Sequence, residues 1–152
     1  MAEKPKPQIL VIDASVAAKW FINEPDSPIA GKLLEEAVAG RWVFAAPDLM
    51  RLELSHVFWK RRAAGYTQKQ LEHALQELGR LGMQEAPMSL LLSKAVELAY
   101  QAELAVYDAC YAALALSLKS ALATFDQDLM KKIKRHSLLP LHPWAEIRSD
   151  RS

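Results

Sequence analysis

The run Gln8-Ile9-Leu10-Val11-Ile12, closed by Asp13, constrains this chain more than any other segment. A short apolar stretch rich in β-branched residues has no polar face to offer water, so it reads as a strand covered on both sides, as in a parallel sheet between helices. The rest of the chain supplies those helices. Ser15 to about Ile22 reads as one, ending in a turn at Asn23-Glu24-Pro25, and a second runs from about Ser27 to Ala39 and is closed by Gly40. Trp42 to Ala46 forms the next strand, and Pro47-Asp48 opens a helix that carries Leu49, Met50, Leu52, Glu53, Val57 and Phe58 toward Ala64, where Gly65 stops it.

Thr67 caps an amphipathic helix to about Leu81, followed by a weak strand over Met83 to Ala86 and a helix from Ser89 to about Gln101. An Ala-rich helix over 107–118, a strand over Ser120 to Thr124 and a helix from Asp126 follow, with Leu138 to Leu141 a candidate last edge strand. Strands alternating with helices predict an α/β fold with a mostly parallel central sheet of four or five strands and right-handed crossovers. The 152 residues suit one domain. Its expected span is 8–142, between a polar N-terminal tail over 1–7 and a C-terminal tail over 143–152.

Charge and cysteine content narrow the chemistry. A formal charge of +1 lacks the basic excess of many nucleic-acid binders, so phosphate contacts must come from local runs such as Lys60-Arg61-Arg62 or Lys131-Lys132-Lys134-Arg135, which equally suit a solvated face. The lone Cys110 excludes an intrachain disulfide and a cysteine-built zinc site, and the histidines at 56, 73, 136 and 142 lack zinc spacing. Because the opening MAEKPKPQILVIDAS has neither a secretory core nor an apolar span of ~20 residues, a soluble cytoplasmic protein without membrane contact is expected.

Ligands in open α/β sheets collect at the carboxyl ends of the strands. Asp13 directly follows Ile12, and Asp126 follows Leu122-Ala123-Thr124 with only Phe125 between, so both belong to that edge. Each also has a plain structural use, Asp13 in turning the chain and Asp126 in capping a helix. Glu53 shares a helix face with Leu49, Met50 and Val57, where an unpartnered carboxylate is costly unless it reaches the rim; Arg51 and Lys60 are poorly spaced to pair with it. Asp108 opens an otherwise apolar helix, where the dipole accommodates an acid without requiring one. Four carboxylates sharing one cavity repel one another near neutral pH unless a cation sits among them, and an all-oxygen set suits Mg2+ or Mn2+ rather than zinc.

Four segments, VIDASVAAKWF, PDLMRLELSHVFWK, VYDACYAALAL and LATFDQDL, place these acids at intervals of 40, 55 and 18 residues. In order and spacing they resemble the PIN-domain family, and within it the VapC-type toxins of type II toxin-antitoxin systems, over residues 8 to about 142. The resemblance implies a three-layer α/β/α fold and an Mg2+- or Mn2+-dependent endoribonuclease in which Asp13, Glu53, Asp108 and Asp126 are the catalytic and metal-holding residues. It also implies that Ser15 and Thr124 support the site, that Asp128 is an alternative to Asp126, and that the partners are an RNA substrate, a small antitoxin protein and a second copy of the chain. His56 departs from the pattern, standing where relatives often carry asparagine three residues after the glutamate.

Two other readings stay open at this point. One is a catalytically idle PIN-like module that binds a protein. The other is an Mg-dependent aspartyl phosphotransfer or phosphatase domain, against which Asp13-Ala14-Ser15 lacks a second acid and 83–86 lacks a terminal phosphoacceptor aspartate.

Overall fold

Leu10, Val11 and Ile12 are wholly shielded from solvent. Successive strand side chains point to opposite faces, so β1 (Gln8–Ile12) is covered on both. The computed structural model, which describes residues 5–144, places β1 inside a four-stranded parallel sheet. It pairs with β2 (Trp42–Pro47) on one side, and β2 in turn pairs with β3 (Gln84–Ala86). On its other side β1 pairs with β4 (Leu122–Ala123), Ile12 lying opposite Ala123. The order is therefore β3-β2-β1-β4.

That order has a functional consequence. The chain moves outward from β1 to β2 to β3 and then returns to the far side of β1, so the topology reverses between β1 and β4. At such a reversal the connections leave in opposite directions and open a crevice outside the carboxyl ends of the strands. Asp13 stands at the end of β1 and Asp126 just beyond β4.

The helices are α1 (Ala14–Phe21), α2 (Ser27–Val38), α3 (Leu49–Lys60), α4 (Gln68–Arg80), α5 (Met88–Ala102), α6 (Val106–Leu118) and α7 (Gln127–Arg135). Residues 109–115 of α6 are buried without interruption, the signature of a helix enclosed on all sides. Four of them are alanine, small enough for α6 to lie close against β1, β2, β4 and α5. Thr67 opens α4 with a reciprocal capping box, its hydroxyl accepting from Gln70 N–H at 3.2 Å while Gln70 returns an acceptor to Thr67 N–H at 2.8 Å. Among the described residues no helix is long and apolar enough to cross a membrane.

Several boundaries differ from the sequence-based expectation. α3 stops at Lys60, and the 3-10 turn Arg62–Ala64 carries the chain to Gly65, whose φ of 97° favours a residue without a side chain. The expected strand over 138–141 is a single parallel bridge between Leu141 and Leu122. Pro140 has no N–H to continue a ladder, although its carbonyl accepts from Leu122 N–H at 3.0 Å. Among the described residues the sheet thus has four strands, the lower of the two numbers expected.

At the carboxyl end, the body of the fold extends past 142. Trp144 is 2% exposed, stacks on Phe125 at a centroid distance of 4.0 Å, and donates its indole N–H to the Thr124 carbonyl at 3.0 Å. A large ring with a polar edge finds both of its requirements met there. Residues 1–4 and 145–152, within the expected tails, lie outside the described part of the chain.

Trp144→Ala removes that ring from the back of the 124–126 segment. Its expected cost is about 3 kcal/mol of unfolding free energy, read by urea denaturation. A loss below ~1 kcal/mol contradicts the assignment of Trp144 to the core.

Candidate metal centre

Asp13 is an acid held against its preference. It is 6% exposed, and burial pushes its carboxyl above the ordinary aspartate range, an effect that hydrogen bonds from Ser15 and Thr124 oppose and the charge of Asp126 reinforces. As N-cap of α1 it accepts from Ser15 N–H at 2.7 Å. The Ser15 hydroxyl donates to the same oxygen, and the Thr124 hydroxyl donates to the other at 2.5 Å. Each hydroxyl is itself an acceptor: Phe125 N–H donates to Ser15 Oγ and Asp126 N–H to Thr124 Oγ1, both at 3.0 Å. These two relays bind the end of β1 to the segment after β4 and polarise one another along their length.

Glu53 projects from α3 and is half-buried. Its partner is Tyr111 of α6, whose hydroxyl donates to Oε1 at 2.6 Å. Tyr111 is 1% exposed, so its hydroxyl must find an acceptor inside the protein. Burial raises the Glu53 carboxyl, the Tyr111 bond lowers it and the charge of Asp13 raises it again, with a raised value as the outcome. The Tyr111 hydroxyl is also raised, first by burial and then by the neighbouring acids. Arg51, spaced poorly for Glu53, pairs with Glu85 at 2.6 Å.

Asp108, in the first turn of α6, is half-buried. Its carboxyl is pushed up to about 7, by burial first and then by Asp126, Asp13 and Glu53, against a lowering influence from Lys132. Asp126 is exposed and caps α7, accepting from Leu129 N–H at 3.1 Å. Asp13, Glu53, Asp108 and Asp126 all line one open cavity of about 640 Å³, with Ser15 and Tyr111 beside them. Asp128 is absent from that lining; its side chain is 75% exposed and pairs with Lys132 at 3.1 Å.

Among the described residues, no three His, Cys, Asp or Glu side chains are already arranged to hold a metal ion. The acids surround a shared space without converging on one point. Their chemistry nevertheless fits a divalent cation, since all the donors are oxygens and each carboxylate keeps at least one free lone pair; on Asp13 it lies on Oδ2, because Oδ1 already accepts twice from Ser15. After burial, the charges of neighbouring acids raise the proton affinity of Asp13, Glu53 and Asp108, a repulsion that a cation would relieve.

Tyr111 escaped the reading of the sequence. Its signal was present: a tyrosine three residues after Asp108, on the same side of an otherwise apolar helix, needs an acceptor for its hydroxyl. His56, unassigned from sequence, is an exposed residue of the cavity wall whose ring stacks on Trp59.

Comparison with known proteins adds family information to this geometry. A family profile described as PIN domain matches residues 10–135. Ribonuclease VapC3 from Pyrobaculum aerophilum is 30% identical over 126 residues, covering 81% of this chain and 93% of that protein. Two solved structures share the fold. VapBC2 from Rickettsia felis, bound to a DNA fragment from their promoter, aligns with a TM-score of 0.65 and 18% identity over 89% of this chain and 98% of the other. VapC20 from Mycobacterium tuberculosis, a Sarcin-Ricin loop cleaving toxin, aligns with a TM-score of 0.63 and 15% identity over 80% and 93%.

The raised carboxyls give stability a definite pH dependence. Between its ordinary value of 3.8 and its folded value of about 7, Asp108 holds a proton in the folded state that the unfolded chain has lost. The folded state then binds more protons, so stability falls as pH rises through that window, and the directions for Asp13 and Glu53 add to the fall. In chelator, the unfolding midpoint is expected to drop from about pH 5 to about pH 7, and Asp108→Asn to flatten the drop and unfold at a higher temperature than the native chain near neutrality. A midpoint that is flat or rises over that range contradicts the electrostatics described.

Proposed function

The chain belongs to the PIN-domain family, and from that premise we propose that it is a metal-dependent endoribonuclease, the toxin of a toxin-antitoxin pair. The single observation that carries this reading is that Asp13, Glu53, Asp108 and Asp126 all line one cavity at the reversal of the sheet. The identity shared with Ribonuclease VapC3 supports RNA as the substrate. Likeness to VapC-type toxins supports a small antitoxin protein as partner and a homodimer, in line with VapBC2 having been solved on DNA from their promoter.

Asp13, Glu53, Asp108 and Asp126 are the residues that would hold Mg2+ or Mn2+. When bound, such an ion activates water and offsets charge developing on the leaving oxygen of a phosphodiester. The chain's own groups prepare for this. Ser15 and Thr124 fix both oxygens of Asp13, so the buried acid cannot swing away. Tyr111 of α6 fixes Glu53 through its hydroxyl. With its value at about 7, Asp108 carries a proton on a substantial share of molecules near neutrality, a proton it would have to give up to serve as a ligand. Lys60 in the cavity lining offers positive charge to a substrate phosphate.

Cleavage of a mixed single-stranded RNA pool in manganese tests the reading. Asp13→Asn and Asp108→Asn are each expected to slow cleavage by roughly a hundredfold or more, while Asp128→Asn stays within about twofold of the native chain. Undiminished cleavage by either of the first two variants contradicts the site, and no cleavage by the native protein contradicts the activity.

A further inference from the structure

Beside the acidic cavity, the outer surface of α3 carries a column of stacked planar groups. His56 and Trp59 lie nearly parallel, at an interplanar angle of 14° and a centroid distance of 5.7 Å. The Arg62 guanidinium sits over the indole of Trp59, 3.9 Å from its centroid, and is pinned there by an N–H bond to the Trp59 carbonyl at 2.8 Å. Spacing of three residues puts all three groups on one stripe, which the 3-10 turn after α3 prolongs. All three side chains are exposed, and Trp59 leaves 57% of its surface to solvent.

The column starts at the site. His56 belongs to the stack and to the wall of the acidic cavity, where Lys60 is also found. At its other end, Trp59 and Arg62 line a second cavity of about 250 Å³ with Tyr66. Charge along this surface is selective. Arg61 is committed to Glu24, whereas among the described residues Lys60 and Arg62 have no carboxylate partner.

We propose that His56, Trp59 and Arg62, with Lys60, form a base-stacking track that seats a single strand of RNA and leads it into the acidic cavity. This rests on the ribonuclease reading above and names residues that hold its substrate. A nucleobase extends the column at His56, whose ring Trp59 and Arg62 support from behind, and the unpaired cations meet the flanking phosphates. Stacking of this kind tolerates any sequence because every base has a π-face. An apolar peptide fits less well, since covering the surface would desolvate Lys60 and Arg62 without giving them a counter-charge. Because the net charge of the chain is near neutral, a polyanion beside four acids needs local cations, which Lys60 and Arg62 supply next to the cavity.

The test is fluorescence anisotropy in calcium buffer, with a short labelled single-stranded RNA and the same strand made abasic at its centre. The native chain is expected to prefer the base-bearing strand by roughly tenfold. His56→Ala is expected to erase that preference, Trp59→Ala to weaken it, and His56→Phe to keep it, because a phenyl ring stacks without the imidazole's charge or hydrogen bonds. Equal binding of the two strands by the native chain overturns the proposal and leaves this face to a protein partner; a preference that survives in His56→Ala overturns it as well. Manganese cleavage by the native chain, assayed in parallel, reads the ribonuclease activity separately. Cleavage without base preference removes the track alone, and base preference without cleavage removes the activity alone.

Discussion

Asp13 sits at the end of a strand sealed on both faces, at 6% exposure, where an ionised carboxylate is stable only if the protein replaces the water it gave up. Ser15 and Thr124 supply that replacement, and their hydroxyls are oriented in turn by Phe125 and Asp126 N–H groups. The cost of burying one acid therefore dictates the chain's path on both sides of the sheet reversal. It fixes the first turn of α1, the departure of the chain from β4 and the position of Asp126. Trp144 backs the same segment through the Thr124 carbonyl and the Phe125 ring.

The other acids gather on this anchored edge by different means. α6 approaches the sheet closely because its buried face is built from alanines, bringing Asp108 and Tyr111 toward the crevice. Tyr111 then solves two problems at once, since its buried hydroxyl needs an acceptor and half-buried Glu53 needs a donor. The acids share one space, and the charges of neighbouring acids add to burial in lifting the proton affinity of Asp13, Glu53 and Asp108. A protein that keeps such an arrangement gives up stability at neutral pH, a loss that a bound divalent cation would recover.

Much of this was legible in the residues. The run at 8–12 could hardly be anything but a doubly covered strand, and the acids following β1 and β4 fell on the expected edge because a parallel sheet puts all its carboxyl ends together. What escaped depended on distant partners or on a missing donor. Glu53 and Tyr111 are 58 residues apart, and only the close approach of α3 and α6 joins them. The strand expected at 138–141 shrank to a bridge beside Pro140. In the sequence Asp126 is favoured over Asp128 because it follows the strand and Thr124 more directly; in the fold Asp126 caps α7 and lines the cavity, while Asp128 pairs with Lys132.

The central claim, that these acids form one cation site, makes a calorimetric prediction. Manganese titrated into the native chain near pH 6.5, in two buffers of different ionisation enthalpy, should bind with release of protons, because carboxyls such as that of Asp108, raised to about 7, must ionise to accept the metal. Asp108→Asn should bind more weakly and release fewer. An absence of manganese binding, or binding whose heat is the same in both buffers, would contradict the account.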